Sequence, residues 1–401
     1  MKSLFALVAL LVAVSPGLWA HEGDWLQFRG PFGSSLAPAT AKPGPSTFTD
    51  ASVAWKLSLP GRGLSSPIVV GDRVFVTCAS GPSQDRLHVF CVSTGKGEML
   101  WERRFWATGR TMTQAKTCVA APTPCSDGRH IFALFSSNDL ISLDLEGNVL
   151  WLRGLTCDYP NASNSLGLAS SPLFIDGTLV VQIENDSQSF AAGIDPATGK
   201  NLWKIDRPKS ANWTSPVVFP GKSSLVGLQS SKGLLAVAPT TGSELWDYAE
   251  GAATIPSAVS SDGVIFVPSN GITALKPSAD GSPPQSLWRN PQIGPGTSSP
   301  IVVGKLLLIL KGSVLTASKV ETGERLWKIR VEGSAFSATP VASGNRLYVF
   351  SEDGVGQVVD LSGPEGKVVG QIKLADTILG SSAISDGAVF VRSDHFLWKL
   401  R

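Results

Sequence analysis

The chain has 401 residues, of which only 16% are charged, with 41 glycines, 27 prolines and a formal net charge of +2. That length is enough for two or three ordinary domains, but so much Gly and Pro favours many short strands joined by turns over helices. A near-neutral chain without a Lys/Arg run or a basic stripe interleaved with aromatics argues against nucleic-acid binding.

The first element is a leader. Met1-Lys2 precedes an apolar core from Leu4 to Val14 and then Pro16-Gly17-Leu18-Trp19-Ala20, which reads as a secretory signal (residues 1–20) cleaved near Ala20. Its eleven apolar residues are too few to cross a bilayer as a helix, and no later segment approaches the roughly twenty needed. The mature chain is therefore expected to be periplasmic or secreted, with no membrane span. Residues 21–50 carry Trp25-Leu26-Gln27-Phe28-Arg29-Gly30-Pro31 and then a Pro/Ala/Thr-rich stretch, expected to form an ordered clip and an irregular strap.

From residue 51 onward one pattern repeats. Trp55, Trp101, Trp151, Trp203, Trp246, Trp288 and Trp327 recur every 39 to 52 residues, the size of one β-propeller blade. Each unit opens on a small residue and Pro, as in Ser66-Pro67, Ala121-Pro122, Ser171-Pro172, Ser215-Pro216, Ile255-Pro256, Ser299-Pro300 and Thr339-Pro340, with Ser382-Ala383 as an eighth start. Pro lacks an N–H and is tolerated at the first residue of a strand, which suits an innermost strand. Short β-branched or aromatic runs follow, and then a Gly turn four residues before the tryptophan, as in Gly147, Gly199, Gly242 and Gly323, with the spacing stretched from Gly95 to Trp101. The indole then lies early on the outermost strand, where one large flat ring can fill the gap between blades. The last unit lacks a strand, whereas Val53-Ala54-Trp55-Lys56-Leu57 has no unit before it. The expected fold is all-β, an eight-bladed propeller of four-stranded antiparallel blades (51–401) closed by pairing the N-terminal strand with the last blade.

Five cysteines leave at least one unpaired. Cys78 and Cys91 flank a predicted hairpin turn near Ser83-Gln84, which makes them the candidate disulfide, worth about 3 kcal/mol for a loop of this length. Without a CxxC spacing a zinc site is not expected. The histidines His21, His88, His130 and His395 are scattered, so no Ser/His/Asp set can be nominated.

The Ser-Ser-Pro starts and the runs Asp195-Pro196-Ala197-Thr198-Gly199-Lys200-Asn201-Leu202-Trp203 and Glu321-Thr322-Gly323-Glu324-Arg325-Leu326-Trp327 resemble the pyrroloquinoline-quinone (PQQ)-type propeller repeat, over nearly the whole mature chain. The resemblance implies the propeller fold and two contrasting roles: quinoprotein dehydrogenases with PQQ and calcium at the propeller mouth, and the non-catalytic barrel-assembly (BamB-type) propeller lipoprotein. This chain lacks the adjacent Cys-Cys pair that many of the dehydrogenases place against the quinone, and it lacks a C-x-x-C-H haem motif.

Two outer-to-inner connections, from Trp101 to Pro122 and from Trp151 to Pro172, span 21 residues against 10 to 13 elsewhere, enlarging one face at neighbouring blades. They and the next blade supply the candidate contact residues Arg104, Arg110, Lys116, Asn161, Asn164, Glu184, Asn185, Asp186, Asn212 and Trp213. Polar groups and an aromatic ring around a concave mouth suit a small ligand or an envelope protein. Glu184 and Asp186 also offer hard oxygens to calcium, although neighbouring residues on an extended loop point in opposite directions. The reading is a non-catalytic exported binding or scaffold propeller using the loop face of blades 2–4, with no cofactor expected. The alternative is a PQQ- and calcium-dependent alcohol or sugar dehydrogenase.

Overall fold

The computed structural model describes residues 23–163, 165–220, 224–278 and 281–401, so the leader and Asn164 lie outside the described residues. Among these, eight four-stranded antiparallel sheets form the blades of a propeller. Blades 1 to 7 comprise residues 68–106, 125–154, 173–206, 217–248, 259–290, 301–330 and 341–373. Blade 8 takes its three inner strands from residues 383–400 and its outermost strand, Val53–Ser58, from the start of the chain. Lys56 there pairs with Trp398 and Leu57 with Leu397, which joins the two ends of the repeat as expected. No helix among the described residues is long and apolar enough to cross a membrane.

Five of the repeat tryptophans latch a blade to the next by a hydrogen bond, whereas the buried Trp246 Nε1 makes none. Indole Nε1 of Trp55, Trp101, Trp151, Trp203 and Trp288 donates to a main-chain carbonyl of the following blade at 2.8–3.0 Å. Beneath each of these rings sits a turn glycine of that following blade: Gly97 under Trp55, Gly147 under Trp101, Gly199 under Trp151, Gly242 under Trp203 and Gly323 under Trp288. Gly97, not Gly95, is thus the turn residue of blade 1, and its spacing to Trp101 is the same four residues as elsewhere.

Small hydroxyl residues surround the axis. Seven of the eight innermost strands are preceded by a main-chain N–H that donates to the hydroxyl of the next blade, in the order Ser66, Thr123, Ser171, Ser215, Ser257, Ser299, Thr339 and finally Ser381, which only accepts. This register moves three expected strand starts, that of blade 8 by one residue, from Ser382-Ala383 to Ser381-Ser382. The inner strand of blade 2 is Cys125–Ser126, opened by Thr123-Pro124 rather than Ala121-Pro122, and that of blade 5 is Val259–Ser261, opened by Ser257-Ala258 rather than Ile255-Pro256. The hydroxyl fixes the register, because it accepts from a buried main-chain N–H of the preceding blade that would otherwise be left without a partner. The relay is open at the seam, where the buried Ser66 Oγ has no partner.

The Cys78–Cys91 disulfide is not formed. Cys78 lies opposite His88 and Cys91 opposite Phe75 in the hairpin. Cys91 is therefore an odd number of residues from Cys78's partner, and strand side chains alternate, so the thiols lie on opposite faces of the sheet. All five cysteines are free; four are buried and Cys157 is exposed. Burial pushes the Cys78 and Cys91 thiols up to about 12 and Cys118 to about 11. Thiol titration should count one reactive group in the native protein and five in denaturant, and a reductant should leave the melting midpoint unchanged.

Candidate functional site

The axis holds a funnel of about 230 Å³ ringed by the eight hydroxyl residues. Its two ends differ. On the face of the first-to-second strand turns, the N-terminal segment crosses the propeller: Trp25 exchanges two 2.9 Å main-chain bonds with Val69, and the Asp24 carboxylate accepts from Gly71 N. Phe28 forms part of the funnel wall there. Arg29 is 1% exposed and donates to the carbonyls of Ala258 and Pro300, at 2.8 and 2.9 Å, and to Ser35 Oγ. Burial pulls this guanidinium down to about 9, so it stays charged at neutral pH and ties the clip to blades 5 and 6. The strap then runs on to blade 7, where Tyr348 Oη donates to Pro45 O at 2.7 Å.

The opposite end opens among the outer-to-inner connections, where Gln114, Lys116, Trp213, Ile255 and Leu379 form the rim. Trp213 is held by its Nε1 donating to Gly167 O at 2.9 Å, which ties blade 4 to the insert after blade 2. Lys116 reaches across to Glu352 of blade 7 at 3.1 Å, and Ser337 Oγ donates to the same carboxylate. Of the ten candidate residues, Lys116 and Trp213 line the funnel.

The others separate. Arg104 belongs to the outermost strand of blade 1, Met99–Trp106, and its exposed guanidinium grips Glu102 at 2.7 and 2.8 Å. The first insert thus begins after Trp106, and Arg104 lies on a blade flank rather than the loop face. Arg110 is on the insert and exposed, next to Met112 Sδ. Asn161 lines a separate surface pocket with Ser187, Asp206 and Lys209. Asn185 is spent on its own loop, since its amide donates to Gln188 O and its side-chain oxygen accepts from Ser187 N.

Glu184 and Asn212 meet in a buried network between blades 3 and 4 that also contains Arg207, a residue the sequence did not single out. Glu184 Oε1 accepts from Arg207 Nε at 2.7 Å and Gln182 Nε2 at 2.9 Å, and Oε2 accepts from Asn212 Nδ2 at 2.9 Å. Burial pushes the Glu184 carboxyl up, against the pull of Arg207. Asp186, two residues on, is exposed and accepts from Ala211 N.

These contacts decide whether the residues fit a calcium–quinone pair. Calcium needs six to eight oxygens, several of them carboxylate. None of the residues lining the funnel is acidic, and both oxygens of Glu184 already accept from the protein, one of them from a cation. Glu184 and Asp186 point to different environments, buried and solvent-exposed. The residues present do not match that donor set.

Two kinds of relative bracket the chain. Polyvinylalcohol dehydrogenase of Sphingopyxis sp. (strain 113P3) is 28% identical over 165 residues, which is 37% of this chain but only 23% of that relative's length. The structure is similar to that of BamB from Moraxella catarrhalis, with a TM-score of 0.62, 14% identity and coverage of 87% and 97% of the two chains. It is also similar to quinohemoprotein alcohol dehydrogenase from Comamonas testosteroni, with a TM-score of 0.69, 13% identity and coverage of 95% and 81%. At such identities the structures speak for the fold alone. The family described as outer membrane protein assembly factor BamB matches residues 41–212, 187–336 and 310–400, nearly the whole propeller, and the chain belongs to that family of PQQ-type propellers.

Proposed function

We propose that this chain is an exported binding or scaffold propeller, freed of residues 1–20, that receives a ligand or a segment of an envelope protein at the open mouth of its axial funnel. The observation that carries this reading is the asymmetry of the funnel. Its floor is lined by Phe28 of the clip, which the buried Arg29 beside it ties to blades 5 and 6, while its rim presents an indole, a lysine and two aliphatic side chains, one of which, Ile255, is 47% exposed. A fixed aromatic ring beside exposed apolar surface is the composition of a binding hot spot. Trp213→Ala is expected to weaken recovery of an envelope partner about 30-fold, the equivalent of about 2 kcal/mol, with Lys116→Ala and Arg110→Ala costing less. Unchanged recovery across all three variants removes the mouth as the contact surface.

A dehydrogenase is the second reading, favoured by the polyvinylalcohol dehydrogenase match. It requires that PQQ with calcium raise the melting midpoint and support dye-linked oxidation of an alcohol. The saturated Glu184 and the non-acidic funnel favour no shift and no turnover.

A further inference from the structure

Blade 1 is built taller than the others. Its second strand, Arg73–Ser80, has eight residues, whereas the second strands of the other blades have five or six. The added length forms a row at the loop end in which Ser80 lies opposite Arg86, and Arg86 opposite Trp106. This row is open to solvent. Arg86 is exposed, Trp106 is 65% exposed with the guanidinium 5.2 Å from its ring, and Ser80 is partly exposed at the strand end.

Two residue pairs below, on the same face, His88 lies buried against Phe90, with its ring stacked at 5.7 Å. Its two nitrogens bridge three strands: Nε2 is 2.7 Å from Ser80 Oγ and Nδ1 is 2.7 Å from Glu102 Oε1. The proton positions follow from the outer end. Hydrogen bonds from Arg104 hold the Glu102 carboxyl below its ordinary value, so it is ionised and can only accept. Nδ1 therefore carries a proton and donates to Glu102, and in the matching tautomer of the uncharged ring the Nε2 lone pair accepts from the Ser80 hydroxyl. A serine hydroxyl in contact with a base that is itself oriented by a carboxylate is the arrangement that makes serine nucleophilic.

We propose that Ser80, His88 and Glu102 form an acyl-transfer site, separate from the funnel, that acts on carboxylic esters with an apolar or aromatic body resting on Trp106. Ser80 Oγ bonds to the ester carbonyl carbon while its proton passes to His88 Nε2. The C–O bond to the alcohol then breaks, and His88 returns that proton to the departing oxygen. Water adds to the acyl-serine by the same relay, releasing the carboxylic acid and restoring Ser80. Arg86 is the backbone partner of Ser80, and its guanidinium, over Trp106 in the resting protein, would have to turn toward Ser80 to meet the charge that develops on the carbonyl oxygen. Glu102 is a positioning residue and stays ionised throughout.

The test uses the full mature chain and two probes, a fluorophosphonate and p-nitrophenyl butyrate. The fluorophosphonate is expected to label Ser80, identified by peptide mass, and ester hydrolysis should fall 10²–10⁴-fold in Ser80→Ala, the range of general acid–base catalysis. Glu102→Gln should slow labelling and alter its pH profile, which a purely structural carboxylate would leave alone. Should Glu102→Gln or a His88 variant fail to fold, the wild-type label and the strand-end Ser80→Ala variant still decide. Trp213→Ala should label normally, so loss of the funnel reading leaves this one standing. A wild-type protein unlabelled at Ser80, or Ser80→Ala hydrolysing the ester as fast as wild type, overturns the proposal.

Discussion

Glu184→Ala lowers the stability of the propeller by about 3–5 kcal/mol, because it strands the buried Arg207 guanidinium between blades 3 and 4 without its counter-charge. Asn212 and Gln182 each lose one acceptor in the same step and keep the Gln229 carbonyl. Removing both charges is a different experiment. A Glu184→Leu, Arg207→Met double variant is expected to recover most of the loss, since desolvating a charge pair often costs as much as its attraction returns. Urea unfolding of wild type, both single variants and the double variant measures the coupling, and a double variant as unstable as Glu184→Ala would place the effect in packing instead. The dependence on pH has a definite sign. Burial holds this carboxyl above its ordinary 4.5, so the group favours the fold below that value and ceases to as the pH rises through the raised one. Acid does not loosen the ring at this seat.

The second large effect lies at the bottom of the same two blades. Trp203 is 8% exposed and spans the gap to blade 4, where its Nε1 donates to Pro239 O. Trp203→Ala is expected to cost about 3–5 kcal/mol. Gly242 beneath it has φ of 69°, and an added Cβ would come within 2.5 Å of the indole. Gly242→Ala therefore combines backbone strain of about 1–3 kcal/mol with displacement of the ring. In a Trp203→Ala background only the strain should remain, giving a coupling of about 1–2 kcal/mol between the two sites. Additive losses in thermal or urea unfolding would mean that the ring does not rest on the glycine.

The architecture was legible because it is periodic. A tryptophan on the outermost strand of seven of the eight blades, a turn glycine four residues earlier in most of them and a small residue with Pro at the inner strand recur often enough that eight units and their closure follow from spacing. Register within a unit was less legible. Thr123-Pro124 stands two residues after Ala121-Pro122, and only the hydroxyl accepting from the neighbouring blade decides between them. Cys78 and Cys91 looked like partners because sequence shows that two residues flank a turn but not the parity of their pairing. Arg104 was assigned to a loop because blade 1 extends its strands past the usual length.

The functional groups were harder still. Arg207 looks like any strand-end cation until its partner Glu184 is placed 23 residues away across a loop. Ser80, His88 and Glu102 sit on three different strands, and no spacing links them until the hairpin register sets one opposite the next. One signal was available: blade 1 carries the longest runs of strand-forming residues on both sides of its central turn. That Lys116 and Trp213 share the rim of the funnel was legible because the long connections mark the face on which they stand.

The outermost strand of blade 8 is the first strand of the propeller to be synthesised, and its mate is the last. Val53–Ser58 must wait while about 340 residues are made before Phe396–Leu400 exists to receive it, and joining ends so far apart carries a loop entropy of about 5 kcal/mol against about 2 for a ten-residue hairpin. The seam is thus the final event of maturation. Until then a half-built arc presents two raw flanks, a liability for any polypeptide still being made and a reason for such a molecule to depend on holding factors.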